Sequence, residues 1–279
     1  IHYSFFSPSD LDLLKLSEDA PERKAIRLIN PINEDLSLMR TTLVPSMLNA
    51  ISRNQKKGNL EGRLFEIAKI FIPKELPLTD YPDERDTLCV GVFGQNEDFF
   101  TIKGIAETVA DTFRLDFEYE AAEKSFLHPY QTAVIKCEGE EIGYLGKLAY
   151  DVADKLDLRN DAYVMQIDLA KLAKWNDKKA VFKPLPKFAE ESRDLALVMT
   201  KDITCKQVED VIGQSCNYIK NIRLFDVYEG AGIADDKKSM AFTVEFCPKD
   251  EAFESDSVDH FVNKILKNLK KELDIDLRS

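Results

Sequence analysis

Residues 240–246 alternate without interruption. Met240, Phe242, Val244 and Phe246 are apolar, and Ala241, Thr243 and Glu245 between them are small or polar. A period of two sends successive side chains to opposite faces of an extended strand, so this segment has one buried face and one open face. A sheet covered on one side needs a helix layer, and the same region supplies two. Thr204-Cys205-Lys206-Gln207 has capping-box spacing and leads into the stripe Val208, Val211, Ile212. Val258, Phe261, Val262, Ile265, Leu266, Leu269 and Leu273 recur at helical spacing, with Ser255 or Ser257 as the expected N-cap. Three further segments read as strands: 194–200, then 219–228 through Ile222, Leu224 and Phe225, and a short one at 275–277. Gly230, Gly232, Asp235 and Asp236 connect the second and third strands. The order is β-α-β-β-α-β, the ferredoxin-like arrangement, which hosts many functions.

Upstream, Pro184 and Pro186 lie in Phe182-Lys183-Pro184-Leu185-Pro186-Lys187-Phe188. Proline fixes its own φ and pushes the preceding residue toward extended geometry, so the stretch reads as a linker. The expected domains are 1–181 and 182–279. In the first, 43–54 reads as a helix interrupted early by Pro45, with Met47, Leu48 and Ile51 on one face. Strands are expected at 63–72, 88–94 and 163–167, a helix at 99–113, and a hairpin over 132–148 turning at Glu138-Gly139. Strands and helices without regular βαβ alternation imply an α+β domain with an antiparallel or mixed sheet.

The 279 residues carry a net charge of −12, which argues against a general polyanion binder. RNA affinity rests heavily on Lys and Arg neutralising phosphates, so any contact here should be local and base-directed. No stretch approaches the roughly 20 apolar residues of a membrane span. The start lacks the basic and apolar segments of a signal peptide and has no initiator Met, so the chain is expected to be part of something longer. Cys89, Cys137, Cys205, Cys216 and Cys247 are scattered singly, and the His residues are His2, His128 and His260. That spacing does not suit zinc, and reduced thiols in a cytosolic setting are expected.

Few groups suggest chemistry. No Gly-rich phosphate loop or nucleophile elbow is present. His128 precedes Pro129, which favours a turn or strand edge; no orienting partner for a general base is visible. Asp80, Asp83, Glu84, Asp86 and Glu138, Glu140, Glu141 could attract a hard cation, but read better as solvated loops. Lys264, Lys267, Lys270 and Lys271 fall on the polar side of the last helix; a solvated face is the default, phosphate steering the alternative. Asp226 and Tyr228 end a strand. An acceptor for a base edge beside a stacking ring is how single-stranded RNA is read, while a turn residue and a core cap account for the pair equally well.

A series of phrases resembles the beta subunit of bacterial phenylalanine–tRNA ligase, in order along the whole chain. Tyr3-Ser4-Phe5, Asn30-Pro31 and Met39-Arg40-Thr41-Thr42-Leu43-Val44-Pro45 resemble its early blocks. Phe65-Glu66-Ile67 with Ile70-Phe71, Phe99-Phe100-Thr101-Ile102-Lys103-Gly104, and His128-Pro129 with Ile142-Gly143-Tyr144-Leu145-Gly146 resemble the middle ones. Arg193-Asp194-Leu195-Ala196, Phe225-Asp226-Val227-Tyr228, Lys238-Ser239-Met240-Ala241 and Leu277-Arg278 resemble the last. The chain departs from the family at Tyr130-Gln131-Thr132, at Ala189 and over 253–258.

The resemblance implies a class II synthetase-like sheet domain without its active site, followed by a ferredoxin-fold domain that holds the anticodon. The family works as an α₂β₂ heterotetramer in the cytoplasm. Its alpha subunit uses ATP and Mg²⁺ to charge tRNA(Phe), so no cofactor and no metal is expected in this chain. Glu66 would stand where an active class II domain keeps an arginine for the α-phosphate, and a carboxylate there would repel it. The alpha subunit would pack around residues 30–54. The anticodon would meet Ala196, Asp226, Tyr228 and Ser239, with Tyr228 stacked on guanine 34 and Asp226 accepting from its edge. The alternative is a scaffold that makes no RNA contact in isolation.

Overall fold

Pro45 starts a helix instead of interrupting one. Proline at the first or second helical position needs no N–H there and arrives with a suitable φ, so the helix α2 (Val44–Lys56; numbering below) runs unbroken behind it. The computed structural model describes residues 5–175, 179–182, 185–249, 251–254 and 256–278. They fall into two units, Ile1–Ala180 and Val181–Ser279.

The first unit opens with β1 (Phe5–Phe6), α1 (Pro8–Leu13) and β2 (Leu38–Met39), the two strands pairing antiparallel. After α2 come β3 (Gly62–Ile72), β4 (Asp83–Phe93), α3 (Phe99–Phe113), β5 (Glu118–Ala121), β6 (Leu127–Cys137), β7 (Glu140–Leu148), α4 (Tyr150–Lys155), β8 (Ala162–Asp168) and α5 (Leu169–Leu172). The main sheet has the order β3-β4-β8-β7-β6-β5, and every pairing is antiparallel. One face packs Leu64, Ile70, Cys89 and Val164 against Met47, Leu48 and Ile51 of α2. The other packs Leu88, Val90, Leu145 and Met165 against Ile102 and Ala106 of α3. The hairpin turns at Glu138 and Gly139, with φ of 49° and 77°. Gly143 on β7 is fixed by proximity: a Cβ there would lie 2.1 Å from the Gln166 carbonyl oxygen on β8.

The second unit contains β9 (Glu191–Thr200), α6 (Cys205–Ser215), β10 (Ile219–Tyr228), β11 (Lys237–Phe246), α7 (Ser257–Leu273) and β12 (Asp276–Leu277). Their sheet order is β10-β11-β9-β12, again fully antiparallel, which is the ferredoxin-like topology. Met240, Phe242, Val244 and Phe246 form the core with Leu195, Leu197, Val208, Ile212, Ile265 and Leu269. Thr204 Oγ1 accepts from the Gln207 N–H and closes the expected capping box. The cap of α7 differs from expectation. Asp256 is its N-cap and makes no side-chain cap bond, Ser257 is already helical, and Ser255 lies outside the described residues.

Candidate nucleic-acid interface

The helices cover one face of the second unit's sheet and leave the other open. Register arranges that open face in rows. Asp226 pairs with Ala241 and Ala241 with Ala196. The Arg278 backbone N–H donates to the Ala196 carbonyl (2.7 Å), which extends the row past β12. In the next row Tyr228 pairs with Ser239 and Ser239 with Val198. All four residues expected to meet the anticodon therefore share one face.

A bulge is what puts them there. Leu224 pairs with Phe242 and Asp226 with Ala241, so Phe225 is an extra residue in β10. With strict alternation Asp226 would oppose Met240 and point into the core.

The chemistry of the face is mixed. Asp226 is exposed, its carboxylate has no partner among the described residues, and it is free to accept hydrogen bonds. The methyl groups of Ala196 and Ala241 make a low floor beside it. Tyr228 is half-buried, and its hydroxyl donates to the Ala231 carbonyl oxygen (3.2 Å). Gly230 lets it do so: a Cβ there would lie 2.9 Å from the Tyr228 oxygen. Ser239 is only 3% exposed. The Arg278 guanidinium sits over the Tyr228 ring, 5.0 Å from its centroid. Sequence reasoning passed over Arg278 as a site residue, since only the register shows that it reaches this face.

The first unit holds a different arrangement. Glu66, Cys89, Gln166 and Tyr144 form one row across β3, β4, β8 and β7. Glu66 is not the free repelling charge expected from sequence. Arg40 Nη1 donates to its Oε1 (2.8 Å), and both side chains are buried, so neither charge is presented to a ligand. Burial pushes the Tyr144 phenol and the Cys89 thiol well above their usual ranges. A cavity of about 520 Å³ opens over this face between Thr41, Ile70, Arg85, Lys124, Tyr144 and Lys171. Two of its cations are occupied: Arg85 pairs with Asp83 (2.6 Å) and Lys171 donates to the Glu141 carbonyl (2.6 Å).

The other sequence candidates are structural. Asp83, Glu84 and Asp86 belong to strand β4, not to a loop as expected; Glu84 pairs with Lys69 and Glu140 with Lys174. Asp80 pairs with Lys74 beside that strand. His128 accepts at Nδ1 from the Tyr130 N–H (3.2 Å), in the stretch of β6 between Leu127 and Thr132 where the pairing with β7 shifts register. His2 lies outside the described residues. Among the described residues no group of three or more His, Cys, Asp or Glu could hold a metal, and no helix is long and apolar enough to cross a membrane.

The fold alone leaves the function open, and the comparisons give the class: a synthetase chain domain followed by an anticodon-binding domain of ferredoxin fold. Two family models match, "Phenylalanyl tRNA synthetase beta chain CLM domain" over residues 1–169 and "Ferredoxin-fold anticodon binding domain" over 186–278. The phenylalanine–tRNA ligase beta subunit of Clostridium acetobutylicum is 33% identical over 282 residues, covering 100% of this chain and 35% of that protein. The corresponding subunit of Listeria innocua is 32% identical over 285 residues, covering 97% and 35%. The chain belongs to the phenylalanine–tRNA ligase beta subunit family. It spans about a third of the length of these relatives, 35% in both cases.

Proposed function

We propose that the second unit holds the anticodon of tRNA(Phe) on its open face, and that the first unit is a non-catalytic assembly module for the alpha subunit of an α₂β₂ cytoplasmic ligase. The observation that carries this reading is the row Asp226–Ala241–Ala196–Arg278 beside Tyr228. It joins an unpaired acceptor, a flat floor and a ring of limited mobility on one accessible face. Tyr228 would stack on guanine 34 and Asp226 would accept from the N1–H and N2 groups of that base. Ala196 and Ser239 would shape the pocket. Stacking plus edge hydrogen bonds reads a splayed base without many phosphate contacts, which suits an acidic chain.

For the first unit, the buried Arg40–Glu66 pair and the engagement of Arg85 and Lys171 at the cavity speak against a phosphate clamp of the kind adenylate formation needs. ATP and Mg²⁺ would act in the alpha subunit. Within residues 30–54, Val44, Met47, Leu48 and Ile51 of α2 pack into the unit's own core, so a docking contact there would use the other residues. Exposed large apolar residues near it include Ile29 and Ile32, with Phe65 and Ile67 on the edge strand β3.

The test is binding of this chain to a tRNA(Phe) anticodon stem-loop, with a guanine-34 substitution as control, at low and moderate salt. Guanine-dependent binding with a shallow salt slope is expected. Guanine-independent binding would remove the base-reading role, and ATP–pyrophosphate exchange by the chain alone would remove the non-catalytic one.

A further inference from the structure

The lysines at the end of the chain do not act as one cluster. Lys270 is committed to Asp274 and Asp276. His260, Lys264, Lys267 and Lys271 are all exposed, and none has an ion-pair partner among the described residues. Their spacing of four, three and four residues sets them in one stripe along α7, roughly 16 Å long at 1.5 Å per residue. The residues that α7 buries, Val258, Ile265 and Leu269, lie roughly half a turn away. Since those residues face the sheet, the stripe looks outward from the helix layer, on the opposite side from Asp226 and Tyr228. The nearest acid toward the start of the helix, Asp259, is paired with Arg193 (3.4 Å).

A second feature adjoins the stripe. Where α7 begins to pass the end of α6, a cavity of about 250 Å³ is lined by Gln214, Asn217, Tyr218, His260 and Lys264. Tyr218 is 38% exposed there. Lys249 lies 5.9 Å from its ring centroid and adds another cation. Amide groups, a partly open ring and a line of unpaired ammonium groups are the components that track a sugar–phosphate backbone.

We infer that this outer face of α7 is a second RNA-binding surface, which holds the backbone of an RNA by phosphate contacts independent of base identity. It rests on the proposed function only in taking the polyanion to be an RNA. In a chain of net charge −12, such a stripe gives a local and salt-sensitive grip, whereas the open sheet face gives a base-directed one.

The test uses this chain with Lys264→Gln, Lys267→Gln and Lys271→Gln combined, against full-length tRNA(Phe) transcripts carrying guanine or adenine at position 34. All three sites are exposed and Gln keeps the helix propensity, so circular dichroism should match the parent. The expected result is an affinity about tenfold lower for both transcripts, and a log K against log salt slope shallower by about 2 to 3. Loss of the guanine preference with that stripe effect intact would sink the base-reading role and leave this inference standing. Unchanged affinity and slope for both transcripts would overturn it and point to an acidic protein surface as the stripe's partner. Failure of the parent chain to bind either transcript would overturn it equally.

Discussion

Arg278 and Tyr228 meet across the open face of the second unit, from strands at opposite edges of the sheet, with guanidinium and ring centroid 5.0 Å apart. The contact restrains the ring before any base arrives, which lowers the ordering cost of stacking. Tyr228→Ala should weaken binding of a tRNA(Phe) anticodon stem-loop by roughly 1–3 kcal/mol, the usual worth of one base stack. Arg278→Ala should cost less, about 0.5–1 kcal/mol, if its part is to hold the ring. Fluorescence titration of both variants decides this; a larger loss for Arg278→Ala would show that it contacts the RNA directly.

Gly230→Ala should mimic Tyr228→Ala in binding without unfolding the unit. The new methyl would stand 2.9 Å from the Tyr228 oxygen and turn the ring away from its bond to Ala231. Near-parental melting together with lost guanine preference is the expected pair of readings.

Breaking the Arg40–Glu66 pair should be among the most damaging changes to the first unit. Arg40→Met or Glu66→Leu alone takes the ion-pair partner from a buried charge and should cost about 3–5 kcal/mol, whereas the double change should cost less than either. Urea unfolding of the three variants measures this. Additive losses would mean that the two residues act separately.

Stability of the first unit should fall on the alkaline side. Burial raises the Cys89 pKa in the folded state, so the native thiol keeps its proton. The unfolded chain loses that proton above about pH 8.5 and is favoured from there upward. For this single group the slope is about −1.4 kcal/mol per pH unit, and the effect is absent below the unfolded pKa. Cys89→Ala should remove that part of the slope between pH 9 and 10; an unaltered slope would assign the alkaline loss to other groups.

Periodicity made the second unit legible. The alternation through Phe242 and Val244 and the stripe through Ile265 and Leu269 identify its core directly. The first unit was harder to read. Its sheet is covered on both faces, so β4 and β8 lack clean alternation, and short elements such as α1, β5 and α4 carry too few residues to show a period. Residues on the open face were named through resemblance, because Ala196 and Ser239 have no chemistry that marks them alone. Arg278 escaped notice because its place depends on the pairing of β12 with β9, which no local pattern encodes. The Arg40–Glu66 pair was hidden for the same reason, its members standing 26 positions apart.

The single extra residue at Phe225 has a consequence for how this surface can vary. Its side chain is half exposed and makes no part of the row, so its identity matters little to the face. Substitution at Phe225 is a small edit. Deletion would set Asp226 directly after Leu224 and still opposite Ala241, so Asp226 and Tyr228 would keep their face in a ladder without a bulge; closing the bulge with Phe225 retained would instead turn both inward. The reading face is thus specified by which residue stands opposite Ala241 and not by the length of β10, and the bulge is where that strand can take up or lose a residue while the row stays in place.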